Sequence, residues 1–150
     1  MRSAAALDVA HNLAGRTAED VAGGWLHTGD IGTQDGQGYL FIVDRKKDMI
    51  ISGGFNVYAA DIEVLMLKHP DVIDVAVIGI PSEQWGESPM ALCVHRPGAA
   101  ASENEILEWA NGQLSKTQRL VAVEFRDSLP RSTIGKIMKR ELREPYWAGR

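Results

Sequence analysis

Residue types with chemical potential gather in three short stretches: "HTGD" (His27 to Asp30), "DRKKDMIISGG" (Asp44 to Gly54) and "LPRSTIGKIMKREL" (Leu129 to Leu142), in which Lys136 lies between Gly135 and Ile137. A Gly-Lys pair suggests a phosphate loop, where backbone N–H groups wrap phosphates and the lysine neutralises them. The rest of that pattern is missing. Pro130 stands where the first glycine belongs, Ile137 stands where a Ser or Thr would hold magnesium, and no apolar strand runs directly into a helix. Alone, the stretch reads as a turn from Pro130 to Gly135 and then a short basic helix, with Lys136, Lys139, Arg140 and Arg143 on a solvated face. Thr28-Gly29-Asp30 reads as a turn in which Asp30 bonds neighbouring backbone N–H groups. Gly53-Gly54 reads as a strand end, where the missing Cβ atoms also let a thin ligand or another backbone approach closely.

Composition narrows what these stretches can serve. A chain of 150 residues holds one domain, or a small domain and a piece of another. A formal net charge of −4 argues against nucleic acid and anionic membrane as partners. No apolar run approaches the ~20 residues of a transmembrane segment. The N-terminus also lacks the apolar centre of a signal peptide, so a cytoplasmic protein is expected. Cys93 is the single cysteine, which rules out an intrachain disulfide. Within "PMALCVH" it is expected to be a buried small hydrophobe, not a nucleophile. His11, His27, His69 and His95 show no ligand spacing, so no metal site is expected in this chain.

The elements that must position the three stretches follow from periodicity. Residues 1–20 are Ala-rich with weak periodicity and are expected to be poorly ordered in part. From Gly23 a short strand and a tight turn lead into a hairpin, Ile31 to Thr33 against Tyr39 to Val43, closed by "QDGQG". This hairpin is too small to enclose a core. The charge run Asp44 to Asp48 then reads as a linker. Beyond it come a strand, "MIISGG", and a helix, "DIEVLMLKHP", with Ile62, Leu65, Met66 and His69 on one face and a stop at Pro70. "VIDVAVIGIP" and "PMALCVH" are apolar on both faces and read as buried central strands. "SENEILEWANGQL" opens with the capping box Ser102…Glu105 and turns Ile106, Leu107, Ala110 and Leu114 inward. A strand, "VAVEF", and a last helical turn or two from Lys136 to Arg143 complete an α+β fold, with helices on one face of a small mixed sheet.

In this order and spacing, "TAEDVAGGWLHTGDIG", "GYLFIVDRKKDMIISGGFNVYAADIE", "DVAVIGIPSEQWGE" and "LPRSTIGKIMKREL" closely resemble the C-terminal end of the adenylate-forming enzymes. That superfamily includes acyl-CoA synthetases, peptide-synthetase adenylation domains and firefly luciferase, and "DRKKDMIISGGFNVY" is most similar to the fatty-acyl and aryl-CoA ligases. The resemblance implies that residues 1–46 are the tail end of a large N-terminal domain and that 47–150 are the C-terminal domain of a longer ligase. It implies two steps: ATP and a carboxylate, in the fatty-acid class, give an acyl-adenylate, and CoA then displaces AMP to form a thioester. Magnesium would be held mainly by the large domain, and that domain is the expected protein partner.

By the same resemblance Lys136 is the lysine that reaches the reacting groups during adenylation. Asp30 would accept hydrogen bonds from the ATP ribose, Arg45 would lie beside the ribose and phosphate, and Lys47 would be the hinge of a domain rotation. Gly53 and Gly54 would shape the path of the CoA arm, with Trp85 and Arg119 near its nucleotide. The run "SKTQRLVAVEF" departs from the family's usual aromatic, basic residue and Pro pattern. Thr117 replaces the aromatic, Leu120 the proline and Val121 a base, in a segment that touches CoA in related ligases. Ala59 replaces a frequent proline at a helix start. Two further readings stand beside the ligase: a non-catalytic binding module of the same fold, and an acyl-adenylate ligase that passes its product to a carrier protein. The isolated chain is expected to be inactive under the ligase reading.

Overall fold

The computed structural model describes residues 21–22 and 25–149; the expectation for residues 1–20 falls outside them. The chain divides into two compact units, Met1–Lys46 and Lys47–Arg150. In the first, β1 (Val21–Ala22) pairs antiparallel with β2 (Trp25–Leu26), and β3 (Asp30–Gln34) with β4 (Leu40–Arg45). The turn of the second pair is organised by Asp35, whose Oδ1 accepts the N–H groups of Gln37 and Tyr39, both at 2.9 Å. That is the local backbone capture expected of an aspartate at a turn.

The second unit is built on one five-stranded sheet. Its strands are β5 (Ile50–Ser52), β6 (Phe55–Val57), β7 (Val72–Ser82), β8 (Gly86–His95) and β9 (Ala122–Phe125). β7 and β8 form a long antiparallel ladder, while β9 runs parallel to β8, making the sheet mixed. Among the described residues three helices pack on it: α1 (Ala59–Met66), α2 (Glu103–Asn111) and α3 (Lys139–Trp147). α2 begins with the expected capping box: Glu105 N–H donates to Ser102 Oγ, and Ser102 N–H donates to the Glu105 carboxylate. Those Ser102 bonds hold the Glu105 carboxyl below its ordinary value.

Several sequence expectations are corrected. The helices cover both faces of the sheet, because β7 and β8 alternate between two apolar clusters. Val75, Val77, Ala91 and Cys93 face α1 and α2 in a core with Ile62, Met66, Ile106 and Ala110. Ala76, Ile78, Met90 and Leu92 face Leu129, Ile137, Leu142 and Tyr146 on the other side. β8 is central as expected, but β7 lies at the sheet margin, paired among the described residues with β8 alone. Side chains seal its outer rim: Val77 N–H donates to Glu63 Oε1 at 2.7 Å, and Trp147 Nε1–H donates to the Gly79 carbonyl at 3.0 Å. The first helix ends at Met66, ahead of Pro70, with Leu67 N–H still bonded to Glu63. The last helix starts at Lys139, so Lys136 lies outside it. Lys139 leaves the solvated face: its ammonium reaches Glu63 Oε1 at 2.8 Å with 14% of the side chain exposed. No helix of the described residues is long and apolar enough to cross a membrane.

Candidate functional site

In the first unit, Gly29 adopts φ +73°, a left-handed conformation that turns "HTGD" sharply into β3. Asp30 N–H donates to Thr28 Oγ1 at 3.2 Å. The Asp30 carboxylate faces a side chain instead of the backbone expected from the turn pattern. Antiparallel register sets Asp30 directly opposite Arg45, and the two form an ion pair at 3.2 Å. With 48% of the Arg45 side chain and 27% of the Asp30 side chain exposed, this pair contributes little to stability. It leaves a carboxylate and a guanidinium together at a solvent-facing surface, where either can exchange its partner for a ligand at small cost.

The second unit carries the other residues at separate places. Gly53 and Gly54 are the two-residue turn between β5 and β6, with φ +56° and +81°. Both angles are positive, as in the hairpin turns that favour Gly-Gly. They end β5 as the sequence reading has it, and also turn the chain into a returning strand, β6, which that reading lacks. Gly53 N–H donates to the Trp85 carbonyl at 2.8 Å. The Trp85 indole lies so close that a Cβ on Gly53 would sit 2.7 Å from its Cε3. Gly54 is open, with nothing within 4 Å of a Cβ placed there. Trp85 N–H is tied to Ser82 Oγ, so Gly53, Gly54 and Trp85 share the Ser82–Gly86 end of the β7–β8 ladder.

Lys136 lies at the opposite end of that ladder. Its N–H donates to Ser132 Oγ at 3.2 Å, and its carbonyl accepts the Ser132 N–H at 2.8 Å. A bridge between Arg131 and Ile137 closes the turn, and Gly135 carries φ +80°. The Lys136 side chain is exposed, and its ammonium pairs with no carboxylate among the described residues. Arg131 joins the turn to Asp74, near the start of β7. Asp74 and Ser82 are separated along β7 by about 26 Å at the rise of a strand. Arg131 and Asp74 were not singled out in the sequence, since the two lie far apart in the chain.

Lys47 opens the second unit, and its carbonyl accepts a hydrogen bond from Arg143 Nη1 at 3.2 Å. Arg119 is exposed on the connection between α2 and β9. In the same connection Leu120 is buried, its N–H donating to Asn111 Oδ1 at 2.8 Å and its carbonyl accepting from Asn111 Nδ2 at 2.9 Å. A proline there has no N–H to donate, so the departure at Leu120 has a structural use. Cys93 is fully buried and desolvation pushes its thiol up to about 12, as befits a core residue. Among the described residues no group of three or more His, Cys, Asp or Glu could hold a metal ion.

Residues 61–136, about half of the chain, match the family of AMP-binding enzyme C-terminal domains. The chain is 44% identical over 135 residues to a fatty acid–[acyl-carrier-protein] ligase, ScoC, of Streptomyces coeruleorubidus, covering 90% of this chain and 26% of that protein. It is 45% identical over 128 residues to a long-chain-fatty-acid–CoA ligase of Escherichia coli O157:H7, covering 85% and 23%. The crystal structure of ATP-bound MatB from Rhodopseudomonas palustris superposes with a TM-score of 0.83 at 39% identity, over 91% of this chain and 27% of that one. The chain therefore spans about a quarter of the length of these relatives. From the mixed sheet, the glycine-lysine turn and this match, the chain belongs to the AMP-binding enzyme C-terminal domain family.

Proposed function

We propose that this chain is the mobile C-terminal part of an ATP-dependent acyl-CoA ligase acting on carboxylic acids of the fatty-acyl class. A carboxylate oxygen of the acid attacks the α-phosphorus of ATP and pyrophosphate leaves. The CoA sulfur then attacks the acyl carbonyl carbon, and the bond to AMP breaks. Lys136 serves the first step, its ammonium offsetting negative charge that redistributes at the α-phosphate and carboxylate. In a water-poor cleft such a charge contributes several kcal/mol to the transition state. Asp30 accepts from the ribose hydroxyls, with Arg45 beside the phosphate. Gly53 and Gly54 serve the second step by leaving room for the CoA arm, with Trp85 and Arg119 toward the CoA nucleotide. Lys47 is the hinge, and the magnesium that accompanies ATP is held outside this chain.

The observation that carries the reading is the separation of the two turns. Lys136 is tied through Arg131 to Asp74, and Gly53-Gly54 lie beside Ser82; these two anchor points are about 26 Å apart along β7. A single nucleotide cleft receives both only if the unit reorients between steps, which a pivot at Lys47 supplies. The test is made in the full-length protein. Lys136→Ala is expected to lower acyl-adenylate formation by at least about a hundredfold, the scale of one lost transition-state charge contact. Thioester formation from supplied acyl-adenylate is expected to persist. Equal losses in both assays refute the assignment.

One observation favours a second acceptor. Thr117, Leu120 and Val121 depart from the residues that touch CoA in related ligases, and Leu120 is locked to Asn111. Under this reading the acyl group passes to a carrier-protein thiol. Supplying CoA and a phosphopantetheinylated carrier protein in parallel decides which thiol is acylated.

A further inference from the structure

The turn presenting Lys136 is closed on itself. Its bonds run between Ser132, Gly135 and Lys136, with Ser132 the partner throughout. Its tip is free, and Ile134 is 76% exposed. Among the described residues it is tied to the sheet by Ile137, packed in the apolar cluster, and by Arg131. The Arg131 guanidinium spans two acceptors. Nη1 donates to the carbonyl of Gly135, the residue just before Lys136, at 2.8 Å, and Nη2 donates to Asp74 Oδ2. Asp74 is itself fixed on the ladder: its backbone pairs with Val94, and its Oδ1 accepts the Val75 N–H at 3.1 Å. A planar guanidinium with donors in a rigid fork can hold two acceptors in one geometry. The side chains of Arg131 and Asp74 are 46% and 29% exposed, so the pair adds little to folding. Its geometric effect is larger, because it joins a glycine-containing turn to the long β7–β8 ladder.

We infer that Arg131 is a positioning residue for Lys136: braced on Asp74, it fixes the turn that presents the ammonium, and it acts on adenylation through Lys136 without touching the nucleotide. The inference rests on the proposed role of Lys136 in adenylation.

The test uses the full-length protein and measures kcat and KM for ATP in acyl-adenylate formation, thioester formation from supplied acyl-adenylate, and the melting temperature. Arg131→Ala is expected to lower the adenylation kcat about tenfold to a hundredfold, the cost of displacing a catalytic group by about an ångström. KM for ATP and thioester formation should stay within about twofold. Arg131→Lys keeps the charge but not the fork, and is expected to stay about fivefold or more below the parent. Asp74→Asn retains the Val75 contact while releasing the guanidinium, and should reproduce the Arg131→Ala loss even if that variant folds poorly. Adding Arg131→Ala to Lys136→Ala should cause no further loss, as for residues acting as one unit. A raised KM with unchanged kcat, full activity in Arg131→Lys, or a further loss on top of Lys136→Ala each overturns the inference. If Arg131→Ala and Asp74→Asn adenylate normally while Lys136→Ala does not, the inference fails and the proposed function stands. If Lys136→Ala itself adenylates normally, the proposed function fails.

Discussion

Replacing Glu63 by alanine tests how the rim of β7 is held. Glu63 Oε1 receives the Val77 N–H at 2.7 Å and the Lys139 ammonium at 2.8 Å, and Val77 is fully buried. The Glu63 and Lys139 side chains are only 19% and 14% exposed. Hydrogen bonds to a charged group contribute about 1.5–3 kcal/mol, and removing one partner of a buried ion pair costs about 3–5 kcal/mol. The remaining solvent access places Glu63→Ala near the lower end, at about 3 kcal/mol. Glu63→Gln keeps an oxygen for Val77 and loses only the charge, so about 1 kcal/mol is expected. The assay is urea unfolding of the 150-residue chain followed by circular dichroism. With a slope of about 2 kcal/mol/M, the Glu63→Ala midpoint falls by about 1.5 M. Amide exchange at Val77 should accelerate in parallel. A midpoint shift equivalent to less than about 0.5 kcal/mol, with Val77 still protected, would refute the reasoning.

Two further predictions concern the cysteine and the glycine turn. Burial lifts the Cys93 thiol from 9.0 to about 12, so the folded chain keeps its proton where the unfolded chain loses it. Stability should therefore be unaffected below pH 9 and fall between pH 9 and 12, with a limiting slope of about 1.4 kcal/mol per pH unit that disappears in Cys93→Ala. A thiol reagent at pH 8 should leave the native chain unmodified and label it in urea; rapid native labelling would contradict the burial. At the turn, Gly54→Ala meets open space but must adopt φ +81°, a cost of about 1 kcal/mol. Gly53→Ala adds a collision with the Trp85 ring, so it should be the more destabilising and should shift indole fluorescence. Equal midpoints and unchanged emission would remove the ring contact from the account.

Local chemistry was the part of this fold that could be read from sequence. The capping box of α2 needs only Ser102 and Glu105, and the hairpin turn only Asp35 and the residues just after it. Lateral position was not legible. β7 and β8 share an apolar pattern because both faces of each are covered, and that pattern records faces, not neighbours. Gly53-Gly54 did carry a hairpin signal, but the returning strand is short and begins with exposed Phe55 and Asn56, so its periodicity was silent. The pairings at the candidate site were equally hidden. Regular hairpin register beyond Gly32 and Ile42 would set Asp30 opposite Asp44, and only the bulge between Ile31 and Gly32 brings it to Arg45, just as Arg131 finds Asp74 only once the sheet has formed; neither pairing was legible.

The treatment of β7 bears on solubility. A long strand with unpaired backbone groups along one side is a template on which another chain can extend the sheet. Here a carboxylate from α1 and an indole from α3 occupy the Val77 N–H and Gly79 carbonyl that such a chain would need. A version of the protein truncated before Trp147 is thus expected to self-associate through this strand, even though the residues removed line neither candidate nucleotide contact nor CoA path.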